Sequence, residues 1–341
     1  MKTSELIEMR LARVRAVCRT MHYSLNTERS YADWVRRFIA FCVALPDWRF
    51  TSAEEMVRKF LESGAEEWAA ATQNQALNAI VFYYKHVIEA QLGKLGQWAV
   101  AKRPVSLPVW LPHADMMALI GQMRGVSRLM AEVDYGSGLR SDELVSLRVK
   151  DVDLNARTVT VREGKGRKSR VTILPDSVIP AVTAQMREMR NLWQQDRAAC
   201  RPGVAVPSEK FNGGDWEWFW LWAARNESRD PRSGIVRRHH LHDTTLGKAL
   251  GVAVKRWGGH QRVTVHSLRH SFATSLLNEG TPITDVQALL GHKHLSTTEI
   301  YLHCLPRVAL RVRSPMDSAG KIVPFALTPS PAQQRGEVVT R

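Results

Sequence analysis

The sequence predicts a mainly α-helical protein with a small antiparallel β-sheet, an α+β chain of two domains. Three observations carry this. Apolar residues recur at helical spacing through long stretches of the 341 residues. One segment, RTVTVREGKGRKSRVTIL at 157–174, alternates β-branched residues on both sides of a glycine-rich basic tip, as a hairpin does. A proline-rich stretch, AKRPVSLPVWLP at 101–112, breaks the helical periodicity and marks a boundary. The length is enough for two hydrophobic cores.

Taken in order, residues 1–96 read as a bundle of four or five helices. NTERSYADWVRRFIAFC opens on Asn26 or Thr27 as N-cap and sets Trp34, Phe38 and Phe41 at helical spacing. Leu77, Ile80, Val81, Tyr84, Val87 and Ile88 form a second apolar stripe, expected to face the bundle core. Residues 97–106 read as an extended basic linker able to track a phosphate backbone. Residues 107–310 form the second, mixed domain with the hairpin. Residues 311–341, rich in Pro, Ser, Gln and Arg, are expected to be partly disordered.

Charge narrows the partner. The 48 Lys+Arg against 33 Asp+Glu give a net charge of +15, which favours a polyanion, nucleic acid above all. Residues 1–20 interleave Glu5, Glu8, Arg10, Arg13 and Arg15 with apolar positions, so no leader is expected. No apolar run approaches the roughly 20 residues of a membrane helix. Cys18, Cys42, Cys200 and Cys304 lack finger spacing and read as reduced thiols of a cytoplasmic, nucleoid-associated protein.

Four strings hold candidate chemistry. In HSLRHSFATSLLNEG, His266 and Arg269 share a face near a helix start, where an Arg and free N–H groups hold phosphate. His266 and His270 also have metal-pair spacing. The positions between them are Ser267, Leu268 and Arg269, with no carboxylate and one cation, so neither metal nor cofactor is expected. In TPITDVQALLGHKHLSTTEIYLHCL, Gly291 stops one helix and Ser296 with Glu299 forms a capping box for the next. That leaves His292 pointing out of the turn, and Tyr301 as either a core tyrosine or a nucleophile. In GSGLRSDELVSLR, Arg140 and Glu143 are either a surface ion pair or a phosphate-binding arginine with its orienting carboxylate. Lys165, at the hairpin tip, is a mobile cation. The fifth feature is DWEWFWLW, Asp215–Trp222, with tryptophans at every second position. It reads as a strand, its rings divided between core packing and an aromatic platform.

Together GLRSDEL, EGKGRKSR, HSLRHSFAT, LLGH and STTEIY resemble the tyrosine recombinase, or phage-integrase-like, family over nearly the whole chain. The resemblance implies an N-terminal helical core-binding (SAM-like) DNA-binding bundle followed by a tyrosine recombinase catalytic domain. It assigns Arg140, Lys165, His266, Arg269 and His292 to phosphate activation, Tyr301 as nucleophile and Glu143 as the group orienting Arg140. The implied chemistry is DNA cleavage and rejoining through a 3′-phosphotyrosyl intermediate without metal or ATP, on a homo-tetramer assembled on DNA. A phenol among several cations is expected to have a lowered pKa.

Roughly 90 residues separate the hairpin from the HxxR helix. This insertion, about 200–245, with DPRSG and RRHHLHD, resembles the integron integrases. That likeness implies gene-cassette sites folded from single strands, alongside duplex sites. In that case Trp218 stacks an extruded base, Pro231, His239 and His240 sit beside it, and Arg237 and Arg238 face phosphates. The chain departs from the integron pattern at Ala223 and Ala224, which leaves the end of the tryptophan strand open. The competing readings are a duplex-specific phage-type or Xer-type recombinase, a non-catalytic DNA-binding protein and a metal-dependent nuclease.

Overall fold

A computed structural model describes residues 3–46, 50–93, 108–162, 169–208 and 210–304. The chain divides into two compact units, Met1–Ser106 and Leu107–Arg341. Among the described residues, helices dominate, and none is long and apolar enough to cross a membrane. The residues called a linker, 97–106, lie outside the described ones, as do the hairpin tip with Lys165 and everything after Cys304.

The first unit contains α1 (Thr3–Thr20), α2 (Leu25–Ala44), α3 (Ala53–Ser63) and α4 (Ala70–Tyr83), which runs on as a π-helical turn, Tyr84–Ile88. Helix α2 starts earlier than expected. Ser24 is its N-cap and accepts from the Thr27 N–H, whereas Asn26 and Thr27 are already helical. Trp34 and Phe38 enter the core, where Trp34 meets Trp68 edge-on at 5.0 Å. The inner face of α4 is Ala76, Ala79, Ile80 and Tyr83, while Val81 is 41% exposed. Of the expected stripe, Ile80, Tyr84 and Val87 are buried, Leu77 and Ile88 pack against the core, and Ala76 and Ala79, too small to stand out, complete the buried face.

The second unit contains α5 (His113–Gly121), α6 (Gly125–Ser137), α7 (Ser141–Val145), β1 (Val152–Asp153), β2 (Thr158–Val161), β3 (Arg170–Ile173), α8 (Ile179–Ala198), β4 (Ala223–Arg229), β5 (Val236–His240), α9 (Thr244–Trp257), α10 (Val265–Asn278), α11 (Ile283–Leu290) and α12 (Ser296–Glu299). Strands β1, β2 and β3 make an antiparallel sheet in that order, with Val161 opposite Arg170 at the hairpin mouth. Strands β4 and β5 make a separate ribbon. The main core joins α5, α6, α9, the start of α10 and β2, with Met116, Met130, Val159, Leu250 and Leu268 among its members.

The tryptophan segment is not the alternating strand expected. Trp216–Trp218 is a 3₁₀ turn, Trp220 makes one isolated bridge to Arg148, and β4 begins only at Ala223. Every residue from Trp218 to Ala223 is buried. Alternation fails because the segment runs between two cores. Leu221 and Trp222 belong to the main one, and Trp218, Phe219 and Trp220 to a smaller aromatic cluster with Met189 and Val204. Trp222, 0% exposed, is a keystone of the larger core. Trp222→Ala is expected to lower stability by about 3–5 kcal/mol in urea unfolding. Val252→Ala, on an exposed face of α9, should change it by no more than about 0.5 kcal/mol.

Candidate active site

The site is built around the end of α6. Gly138 stops that helix at φ +61, and a Cβ there would lie 2.3 Å from the Phe272 ring. The chain turns at once into α7, with Arg140 at its N-cap position. Glu143, in the first turn, reaches back: its Oε2 accepts from the Arg140 N–H at 2.8 Å and its Oε1 from Arg140 Nη1 at 2.7 Å. A carboxylate so placed closes the helix start and faces its positive dipole end.

Two more guanidiniums converge on that carboxylate. Arg170, from β3, donates to both Glu143 oxygens, at 2.8 and 2.5 Å, and its Nε donates to the Leu289 carbonyl. Its stem passes over Gly291, where a Cβ would meet Arg170 Cδ at 2.6 Å; Gly291 also ends α11 at φ +66. Only glycine serves both demands. Arg269, from α10, donates to the Gly138 and Leu290 carbonyls at 2.7 Å each, and its Nη2 lies 3.0 Å from His292 Nε2. It stands 3.8 Å from Glu143 Oε2.

Around these, His292 follows α11, and its Nδ1 lies 2.9 Å from Thr298 Oγ1. Arg269 can only donate, so His292 Nε2 is the acceptor and Nδ1 carries the proton. The Tyr301 ring stacks on His292 at 6.4 Å, and its hydroxyl lies 3.0 Å from His270 Nδ1. His266 is exposed on the first turn of α10. Arg140, Arg269, His292 and Tyr301 are thus brought together, with Glu143 beneath the arginines.

Charge and burial oppose each other here. Burial pushes Glu143 up, but hydrogen bonds from Arg170 and the Arg140 backbone, with the Arg170 charge, hold it at about 2. Burial and the neighbouring Arg140 bring Arg269 down to about 10. Burial, then the Arg269 cation, lowers His292 to about 4. Burial, His266 and Arg269 do the same to His270. Tyr301 corrects an expectation: burial raises its phenol, and the Arg269 charge offsets only part of that.

Two local expectations also change. Ser296 is the first helical residue of α12, with Leu295 as its cap position, and no side-chain cap forms. The capping box fails because the helix begins one residue too early. His292 does not point out of its turn; it is half-buried with both ring nitrogens engaged.

The insertion residues fall elsewhere. Trp218 is 7% exposed, covered by Phe211 at 4.4 Å between ring centroids and by Lys150 Nζ at 2.7 Å from its centre. Pro231 is exposed in the β4–β5 turn; Arg237, His239 and His240 are half-buried on β5. His240 meets the Trp220 ring edge-on and lies 2.6 Å from the Leu241 carbonyl. Arg238 is a correction. At 2% exposed, it forks onto Asp196 and donates to the Ala224 and Arg225 carbonyls, so it faces no phosphate. Among the described residues, no hydrogen bond or ring contact joins this group to Tyr301.

Sequence reasoning missed Arg170, His270 as Tyr301's partner, and Thr298. Arg170 carried a signal, a charge set opposite an apolar hairpin position. It also missed Asp134, fully buried on α6 with both carboxylate oxygens unpartnered and, through burial, held well above the usual carboxylate range.

Residues 110–307 match the Phage integrase family, and residues 11–94 match the family described as Phage integrase, N-terminal SAM-like domain. An Escherichia coli protein named Integrase/recombinase is 42% identical over 315 residues, 90% of this chain and 93% of its own. Tyrosine recombinase XerC of Halalkalibacterium halodurans is 31% identical over 248 residues, 70% of this chain and 73% of its own. The fold is shared with XerH site-specific recombinase bound to difH substrate, at TM-score 0.57 and 19% identity over 86% of this chain and 81% of that one. It is shared with a lambda integrase dimer bound to a COC′ core site, at TM-score 0.55 and 15% identity over 86% of this chain and 76% of that one. Fold and site define a tyrosine recombinase, the class of enzyme that cleaves and rejoins DNA. The chain belongs to the phage integrase family, as GLRSDEL and HSLRHSFAT led one to expect.

Glu143→Ala leaves the buried Arg170 and Arg269 without their anion, and is expected to cost about 3–5 kcal/mol in chemical denaturation. Stability should also depend on pH in two windows. His270 and His292 sit at about 4 when folded and titrate at 6.5 when not. The unfolded chain therefore binds protons first, and stability falls as pH drops from 6.5 to 4. Glu143, at about 2 against an ordinary 4.5, extends the loss from pH 4.5 to 2. Thermal melts across that range, with His292→Gln flattening the upper window, check both.

Proposed function

We propose that the protein is a site-specific recombinase of gene cassettes, cleaving DNA sites folded from a single strand. The observation that carries the chemistry is the convergence of Arg140, Arg269, His292 and Tyr301 from four separate elements. In this reading Tyr301 Oη attacks the scissile phosphorus and becomes a 3′-phosphotyrosyl ester, releasing a 5′-hydroxyl. Arg140, with its side chain 41% exposed, meets the phosphate first. Arg269, His292 and His266 complete the charge stabilisation, and Lys165 gives the leaving oxygen its proton. Glu143 orients Arg140. Strand exchange at two sites, each cut on both strands, uses four protomers.

The folded-site reading is supported by the segment between α8 and α9. It builds its own aromatic cluster and a ribbon whose tip, around Pro231, is exposed with Arg229 and Arg232. None of this is needed to hold Tyr301. Trp218 takes part as a base platform once Phe211 and Lys150 move aside. The XerC relative favours a second reading, a duplex recombinase in which the ribbon only packs.

One experiment separates these. The protein is mixed with a labelled hairpin bearing two bulged bases, and with the matching perfect duplex, each nicked to trap cleavage. Covalent adducts are read on a denaturing gel. Tyr301→Phe should abolish every adduct. Pro231→Ala combined with His239→Ala should weaken the hairpin reaction about tenfold, as expected if a base contact of about 1–3 kcal/mol is lost, and leave duplex unchanged. Equal trapping of duplex, untouched by the double variant, would establish the duplex reading instead.

A further inference from the structure

We infer that His270 is a further catalytic residue, the group that takes the proton from the Tyr301 hydroxyl as that oxygen attacks phosphorus. The inference rests on Tyr301 being the nucleophile, as proposed above. No role described so far uses His270.

The geometry selects it among three histidines. His270 Nδ1 is 3.0 Å from Tyr301 Oη, and the two rings lie 5.5 Å apart at 52°. His292 is stacked on the tyrosine ring at 15°, so its ring-plane nitrogens point past the hydroxyl, and both are already engaged by Arg269 and Thr298. His266 is exposed, with its ring centre 6.5 Å from that of His270.

The direction of the hydrogen bond follows from what each partner can do. The Arg269 charge lies close enough to offset part of the rise in the phenol's pKa, but a guanidinium can only donate and offers the phenolic proton no acceptor. Tyr301 is 2% exposed, and leaving its own proton without an acceptor in that setting is costly. The O–H therefore donates to His270 Nδ1, and the imidazole proton sits on Nε2. Burial, with His266 and Arg269 on its own helix, keeps His270 neutral at pH 7, at about 4. Among the described residues, the titratable groups it meets from facing segments are Tyr301 and the neutral His292. An incoming phosphodiester adds a negative charge beside this cationic group and raises the basicity of the imidazole when it is needed.

The step balances. The Tyr301 Oη–P bond forms and the P–O5′ bond breaks. The phenolic proton passes to His270 Nδ1, giving an imidazolium, and the 5′-oxygen takes its proton from Lys165. In rejoining, the 5′-hydroxyl returns its proton to Lys165, and His270 hands its own back to the departing phenol.

The test uses the full chain and whichever DNA, hairpin or duplex, gives the Tyr301-dependent adduct. That DNA carries a bridging 5′-phosphorothiolate, whose leaving sulfur needs no proton. His270→Gln keeps a hydrogen bond to Tyr301 but takes no proton. It should bind DNA as the parent does yet form adduct about 10²–10⁴-fold more slowly. His270→Ala should regain rate with added imidazoles, more so the more basic the imidazole, a response that a packing role would not give. Adduct formation by His270→Gln within about threefold of the parent rate would overturn the inference, since general-base loss is far larger. An adduct that survives Tyr301→Phe would overturn the nucleophile assignment itself, and is told apart because it concerns a different lane.

Discussion

One largely buried carboxylate holds the candidate site in register. Glu143 receives Arg140 from its own helix, Arg170 from the hairpin and, at longer range, Arg269 from α10. Those arginines bind onward to the carbonyls of Gly138, Leu289 and Leu290. The ends of α6 and α11, the start of α7 and strand β3 therefore meet at a single anion. Such an arrangement is worth little as isolated ion pairs, because desolvation consumes the Coulomb gain. Its value is positional: the guanidiniums are fixed before any substrate arrives, so no reorganisation is needed at the moment of reaction.

The same cluster is deliberately out of balance. Three arginines face one ionised glutamate, an excess of positive charge, and burial pushes Asp134 on α6 well above the usual carboxylate range. A phosphodiester would reduce that excess. Tyr301 is buried, its phenol is harder to ionise than usual, and Arg269 spends its N–H groups on the Gly138 and Leu290 carbonyls and on His292.

Much of this was legible in the sequence, and the parts that were not share a cause. Arg140, Glu143, Arg269, His292 and Tyr301 stand in motifs whose order signals the site, and Gly291 announced the turn that Arg170 crosses. The protonation states were not legible, because they depend on burial supplied by distant elements. Counting cations near Tyr301 gave the wrong direction for its phenol. Arg238 looked like a surface charge in RRHH, yet its guanidinium closes on Asp196, 42 residues away. On α4 the apolar stripe erred only at Val81, which is exposed, while Ala76 and Ala79, too small to stand out, join Ile80 on the buried face.

The tryptophan segment joins the main core of the second unit to its smaller aromatic cluster. Arg148 lies just after the helix carrying Glu143. Its Nη1 donates to the Trp218 carbonyl and its Nη2 to the Ala205 carbonyl, while its guanidinium covers the Trp220 ring at 3.6 Å. Burial lowers this arginine to about 10, so it remains charged at neutral pH and cannot leave its partners cheaply. Trp222, four residues beyond Trp218, is locked in the main core. The aromatic cluster is therefore clamped at one end by Arg148 and at the other by Trp222.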